Sequence, residues 1–267
     1  WRGPAGDGIS HETKLPISWD EESGVRWKCQ LPGWGDSTPA IWGDTIFVTS
    51  QLEDGPLLLL CIEKKIGQLK WQRQVGDAIP RSPESGRKSP EMRRQQEFHR
   101  EQNMATPSPV TDGSVVVAHF GNGDLAAYDF AGQQLWIHNL QAEHGEYSIW
   151  WGHANSPVIC GDLVISVCMQ DSCIDLPGEP SPSYVVAHDL RSGRQKWKTM
   201  RMTNATHEHC DAYTTPILRD SAGYQEIIVM GGQVLDAYSP ADGRQIWHLS
   251  NLAGNRVIPS PVVNNEM

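Results

Sequence analysis

Long apolar runs are missing from this 267-residue chain. The longest, residues 57–62, has the length of a buried strand and falls far short of the ~18–20 residues that a bilayer-spanning helix needs. No membrane span is therefore expected, and no lipid anchor is visible. Positive charge is also scarce. Lys and Arg number 22 against 32 Asp and Glu, a formal net charge of −10. Nucleic-acid binding draws on basic surface that displaces counterions, so no nucleic-acid partner is expected. The six cysteines (Cys29, Cys61, Cys160, Cys168, Cys173 and Cys210) include no Cys-x-x-Cys, which argues against a zinc ribbon or a thioredoxin motif. Cys61 and Cys168 sit in strand-like runs and read as buried thiols. Cys173 and Cys210 fall in expected loops and leave a disulfide open. There is no Ser-His-Asp elbow, P-loop or dinucleotide fingerprint. No signal peptide is visible, and the start at Trp1 without a Met suggests that the natural N-terminus lies upstream.

Phe is rare and Trp is abundant, with four against eleven. That imbalance points to a repeated task for Trp, and the sequence repeats accordingly. CIEKKIGQLKW (61–71), AYDFAGQQLW (127–136), AHDLRSGRQKW (187–197) and AYSPADGRQIW (237–247) share a small residue, a turn with Gly, and Trp four positions after that Gly. The paired positions are Gly67 and Trp71, Gly132 and Trp136, Gly193 and Trp197, Gly243 and Trp247. A shorter relative runs from Gly24 to Trp27. A second anchor is Ser/Thr-Pro followed by apolar residues: Thr38-Pro39, Ser108-Pro109, Ser156-Pro157, Thr215-Pro216 and Ser260-Pro261.

Each unit reads as four strands. Pro lacks an N–H and belongs at a strand start or sheet edge. Gly takes the positive φ of a hairpin turn. The Trp ring packs on the next unit while its N–H seeks a polar partner. One such sheet cannot bury both faces alone, so several must stack radially. The expected fold is an all-β propeller of four-stranded antiparallel blades: four complete blades plus parts, a piece of a seven- or eight-bladed ring. Residues 1–23 read as an N-terminal extension and 24–267 as the propeller. The Trp-to-Trp intervals exceed the ~40–45 residues of a blade, and the excess belongs in loops. The clearest insertion, 76–103, mixes Arg81, Arg87, Lys88, Arg93, Arg94 and Arg100 with Glu84, Glu91, Glu97 and Glu101. It reads as a surface loop or a partner-docking element, with a short helix over 89–102.

The combination of Ala-x-Asp, a Gly turn and Gly-x-x-x-Trp resembles the tryptophan-docking repeat of the PQQ-binding-like β-propeller superfamily. The chain is similar to its secreted bacterial BamB-like members, and the likeness spans roughly residues 24–267. The resemblance implies an extracytoplasmic location, periplasmic or secreted. It also implies a non-catalytic scaffold that holds a protein or polysaccharide partner on a loop face or blade edge. The superfamily contains quinoprotein dehydrogenases as well, so a PQQ- or metal-dependent oxidoreductase with its site at the axis is the alternative. Against PQQ with Ca²⁺ stands the absence of the adjacent Cys-Cys pair that such alcohol dehydrogenases carry. No cofactor is expected.

Two loops interrupt the repeat. YSIWWGHAN (147–155) offers Trp150, Trp151, His153 and Asn155, either as an aromatic ligand platform for a carbohydrate or peptide or as packing between blades. THEHCD (206–211) offers Asp211 and the pair His207 and His209, which share a face of an extended segment and have a spacing suited to Zn²⁺ or Cu²⁺. Both loops precede expected innermost strands, so they should open on one face near the axis.

Overall fold

The computed structural model describes residues 3, 8–10, 12–20, 22–78, 103–145, 147, 149, 151–169, 183–206, 209–221, 223–254 and 256–263. Four separate four-stranded antiparallel sheets follow one another along the chain, each a simple meander. Blade I comprises β1 (Ala40–Trp42), β2 (Thr45–Gln51), β3 (Pro56–Glu63) and β4 (Gln68–Asp77). Blade II comprises β5 (Val110–Thr111), β6 (Val115–His119), β7 (Asp124–Asp129) and β8 (Gln134–Asn139). Blade III comprises β9 (Val158–Cys160), β10 (Leu163–Cys168), β11 (Ser183–Asp189) and β12 (Gln195–Arg201). Blade IV comprises β13 (Ile217–Ser221), β14 (Tyr224–Gly231), β15 (Val234–Tyr238) and β16 (Gln245–Leu249). A short helix, α1 (Leu140–His144), follows blade II, capped by the Asn139 side chain, which accepts from the Ala142 N–H. Among the described residues no helix is long and apolar enough to cross a membrane. The charged segment expected over 76–103 begins within the end of β4, and its residues 79–102, the expected helix included, lie outside the described residues.

The repeat sets the register. In every blade the small residue lies directly opposite the Trp: Cys61 pairs with Trp71, Ala127 with Trp136, Ala187 with Trp197 and Ala237 with Trp247. The pairing then shifts at once, between residues 61/62, 127/128, 187/188 and 237/238. A small side chain leaves room beneath the indole, and the residue after the bulge faces the preceding blade, as Tyr128, His188 and Tyr238 do. In blade I that residue is Ile62.

The core lies between the sheets. Phe47, Leu59 and Cys61 of blade I meet Val116, Ala118 and Tyr128 of blade II. Val117, Leu125 and Ala127 meet Val164, Tyr184 and Val186 across the next seam, and Ile165, Val185 and Ala187 meet Ile227, Val229 and Tyr238 across the third. The middle strands are covered on both faces, which is why β3, β6 and most of β10 read as nearly continuous apolar runs without alternation.

Trp27, Trp71, Trp136 and Trp197 each close a seam by docking on the Gly turn of the blade that follows. Trp27 donates its indole N–H to Lys64 O (2.8 Å), Trp71 to Phe130 O (3.0 Å), Trp136 to Leu190 O (3.0 Å) and Trp197 to Pro240 O (2.8 Å). The Gly of that turn lies under the indole. A Cβ on Gly193, whose φ is +71°, would come within 2.6 Å of Trp136. The residues two beyond Trp71, Trp136 and Trp197 add a second bond, to the carbonyl of that same Gly. Arg73 Nε reaches Gly132 O (2.7 Å), His138 Nε2 reaches Gly193 O (2.8 Å) and Thr199 Oγ1 reaches Gly243 O (2.6 Å). At the inner end the Ser/Thr-Pro anchors form a ladder. Thr38 N–H donates to Ser108 Oγ, Ser108 N–H to Ser156 Oγ and Thr215 N–H to Ser260 Oγ, each at 2.9 Å. Inner strands are thus laced by side chains that act as acceptors, because Pro in the next position leaves the backbone short of partners.

Candidate functional site

Three places combine polar chemistry with a defined position in the fold. The first is the axis. The short first strands β1, β5 and β9, with the Thr215-Pro216 anchor before β13, line a cleft of about 730 Å³ that includes Thr38, Ile41, Ser108, Val110, Ser156 and Ile159. Apart from Asp112 its wall is made of hydroxyls and apolar groups, and Asp112 is engaged by Arg191 Nη2 at 2.6 Å.

The second place is the loop face that the irregular segments form. His153 is buried. Its ring stacks on Tyr147 at 4.8 Å and lies 4.5 Å from the His119 ring, with Nε2 3.3 Å from His119 Nδ1. Burial holds both imidazoles neutral: His119 is lowered from 6.5 to about 3, and His153 lies well below its ordinary value. Asn155 is buried too, and its amide donates to Ala212 O (3.2 Å) and Thr214 O (2.7 Å) of the next unit. Asp211 is buried, and its carbonyl accepts from Val257 N–H at 3.0 Å. Trp151 is half-buried, with the Arg256 guanidinium 5.0 Å from its ring centre. His209 Nδ1 lies 2.8 Å from Gly254 O. Trp150, His207 and Cys173 lie outside the described residues. The structure therefore places His153 against His119 of blade II, Asn155 at the joint between the loops that precede blades III and IV, and Asp211 against the backbone at Val257, with Trp151 nearest to solvent.

The third place was not singled out in the sequence. His138 on β8, Glu143 on α1 and His188 on β11 bring ligand-type atoms within 4.8 Å of one another. His138 Nδ1 lies 2.6 Å from Glu143 Oε1. The His138 and His188 rings are 4.8 Å apart, and His188 also stacks on Trp136 at 6.3 Å. His188 is fully buried, and among the described residues neither of its nitrogens has a hydrogen-bond partner. Burial lowers it to about 4, so it is neutral at pH 7. Leaving a buried polar atom unpaired costs on the order of 1–3 kcal/mol, which marks this spot as unusual for a core position. His144 Nε2 lies 4.0 Å from the other oxygen of Glu143.

A family model described as outer membrane protein assembly factor BamB matches residues 11–210. The chain belongs to this BamB-like family of PQQ-repeat propellers. No curated protein sequence matches it. Solved structures agree on the fold. BamB from Moraxella catarrhalis superposes with a TM-score of 0.53 at 15% identity, over 87% of this chain and 56% of that one. The quinohemoprotein alcohol dehydrogenase of Comamonas testosteroni gives 0.55 at 12% identity, over 84% and 36%. The quinohemoprotein alcohol dehydrogenase ADHIIG from Pseudomonas putida HK5 gives 0.51 at 14%, over 84% and 35%. The BamB-like chain thus spans about half the length of the BamB structure and about a third of each dehydrogenase.

Within the BamB-like repeat, the His138 and His188 positions carry a signal that sequence spacing alone does not reveal. Position 188 holds the residue after the bulge, which is Tyr in blades II and IV and Ile in blade I. Position 138 is two beyond the docking Trp, where the neighbouring blades have Arg and Thr. Aligning the repeats column by column shows histidine entering two facing columns at one seam only.

Proposed function

We propose that this chain belongs to a non-catalytic extracytoplasmic propeller scaffold that binds a protein partner along its blade edges. The observation that carries this reading is the outer strand of each blade. Among the described residues β4, β8, β12 and β16 leave one edge unpaired, and they expose Leu69, Leu135, Ile137, Met200, Ile246 and Leu249 beside it. An open strand edge flanked by apolar side chains accepts an extended segment by strand addition, with backbone hydrogen bonds giving affinity and side-chain pockets giving selectivity. The BamB-like family match supports the scaffold role and the extracytoplasmic location. The missing Cys-Cys pair weighs against the dehydrogenase reading.

Two measurements test it. A photo-crosslinking residue at position 135, in the native cell envelope, is expected to give one discrete protein adduct, and the same residue at exposed position 66 on a hairpin turn is expected to give none. Equal labelling from both positions counts against edge binding. Titration of PQQ with Ca²⁺ is expected to leave the melting temperature and absorbance unchanged. Saturable binding with dye-linked oxidation of an alcohol or sugar overturns the non-catalytic reading.

A further inference from the structure

The seam between blades II and III gathers His138, Glu143 and His188, and packing leaves the buried nitrogens of His188 unsatisfied among the described residues. The hydrogen bond from His138 Nε2 to Gly193 O fixes the tautomer, since a carbonyl can only accept. The other nitrogen, Nδ1, faces a carboxylate oxygen at 2.6 Å. At that distance a shared proton joins the two in the metal-free chain, and a cation that bound both atoms would displace that proton and spread them apart. The third group, His188, sits beneath them, fully buried, with neither nitrogen hydrogen-bonded among the described residues.

We propose that His138 Nδ1, Glu143 and His188 form a binding site for a late first-row divalent cation of the Zn²⁺ type. Two imidazoles and one carboxylate favour zinc, nickel or copper over Mg²⁺ or Ca²⁺, which take all-oxygen shells. Ligands ~2.0–2.2 Å from a tetrahedral zinc stand ~3.5 Å apart, so the 2.6 Å contact must open and the separations of up to 4.8 Å must close, both by motion of the half-exposed Glu143 side chain. The outer partners are in place as well. A metal-bound histidine commonly donates its other N–H to a backbone carbonyl, as His138 does to Gly193. His144, 4.0 Å from Glu143 Oε2, is placed to steady the carboxylate. The fourth position faces solvent past Glu143, open to water or to a donor atom of a partner. His138 and Glu143 come from blade II and its helix, while His188 comes from blade III. The cation therefore clasps two blades, and mass action makes it stabilise the fold.

The repeat supplies its own controls. His138→Arg installs the residue that blade I uses at the same position, where Arg73 makes the same bond to a Gly carbonyl. His188→Tyr installs the residue of blades II and IV. Glu143→Gln changes a half-exposed side chain. The test is calorimetric titration of ZnCl₂ into the untagged, EDTA-treated full chain, with CoCl₂ followed in parallel by visible absorption. One equivalent of Zn²⁺ is expected to bind, to raise the melting temperature and to be indifferent to excess Mg²⁺. Co²⁺ is expected to give d–d bands of a four- or five-coordinate site. Each variant removes a ligand and is expected to lose more Zn²⁺ affinity than the ~10–100-fold that disturbing an outer partner costs, along with the Co²⁺ bands. Absence of stoichiometric Zn²⁺ binding overturns the proposal, as does wild-type affinity in Glu143→Gln and His138→Arg. If His188→Tyr fails to fold, the other two variants decide.

Discussion

The three seams between blades share one docking geometry and differ in what fills it. Seam I–II is nearly apolar: Phe47, Trp71, Tyr128 and Phe130 form an aromatic cluster with ring centres 4.9–6.4 Å apart. Seam II–III gathers histidines, with His119 and His153 toward one end and His138, His144 and His188 toward another. Seam III–IV is tied by a buried ion pair. Arg201 Nε meets Asp236 Oδ2 at 2.6 Å, its Nη2 donates to Gly231 O and Val234 O, and Tyr238 donates to the same Asp236 oxygen at 2.8 Å. The repeat fixes the frame, and the residues between its anchors decide whether a seam responds to pH, metal or nothing. That difference can be broken seam by seam.

The largest effect belongs to seam III–IV. Asp236→Ala leaves the Arg201 guanidinium buried with its charge unopposed, and removing one partner of a buried pair costs about 3–5 kcal/mol. Urea denaturation is expected to show that loss. Replacing both residues by apolar ones of similar size, Arg201→Met with Asp236→Leu, is expected to recover most of it, because the penalty lies in the orphaned charge. No recovery in the double variant assigns the cost to lost packing.

Trp136→Ala comes next, at about 3–5 kcal/mol for a buried indole, because it empties the seam and removes the bond to Leu190 O. Trp247→Ala is expected to cost less than half as much. Trp247 is only partly buried, and its N–H reaches Glu226 Oε1 of its own blade, with no following turn among the described residues. Equal losses in the two variants contradict docking as the source of stability.

Much of this frame was legible because its determinants are local. Gly-x-x-x-Trp and Ser/Thr-Pro announce turn and strand start within a few residues, and the four strands per unit follow. The small residue faces the neighbouring sheet, as Ala127 and Ala187 do, and its register also places it opposite the Trp. That pairing depends on a bulge that spacing does not encode. The candidate residues fared differently because their setting is non-local. Burial of His153 and Asn155 follows from the packing of one unit on the next, which no property of YSIWWGHAN contains. Conversely, His138 and His188 are fifty residues apart in the chain. They meet only because successive blades stack in register, so the repeat alignment carries the one trace of their proximity.

Acid sensitivity separates seam II–III from the others by a smaller amount. His119 takes a proton near 6.5 when unfolded and near about 3 when folded, and His153 is lowered as well. Between those limits the unfolded chain binds more protons, so stability falls as pH drops below about 6.5 and is fully present above it. The expected slope is about 1.4 kcal/mol per pH unit for each such group. His153→Phe keeps an aromatic ring against Tyr147 and removes one titration. Denaturation midpoints between pH 7 and pH 4.5 are expected to fall less in that variant than in the wild type. A parallel decline in both places the acid-sensitive groups elsewhere, with His188 the next to test.

The smallest effect distinguishes the docking clip from the cation site at the same residue. His138→Arg, measured with EDTA present, is expected to change stability by less than about 1 kcal/mol. The His138–Glu143 pair is partly exposed, and exposed pairs contribute ~0.2–1 kcal/mol. The arginine can keep the bond to Gly193 O, as Arg73 does to Gly132 O in the seam before it. His138→Ala under the same conditions loses that bond, adding roughly 0.5–1.5 kcal/mol. A small loss for Arg and a larger one for Ala assigns position 138 to docking in the metal-free chain, with the cation as an addition that only the histidine permits. A large loss for both in EDTA would instead mean that the imidazole ring itself, packed between Trp136 and His188, supports the seam.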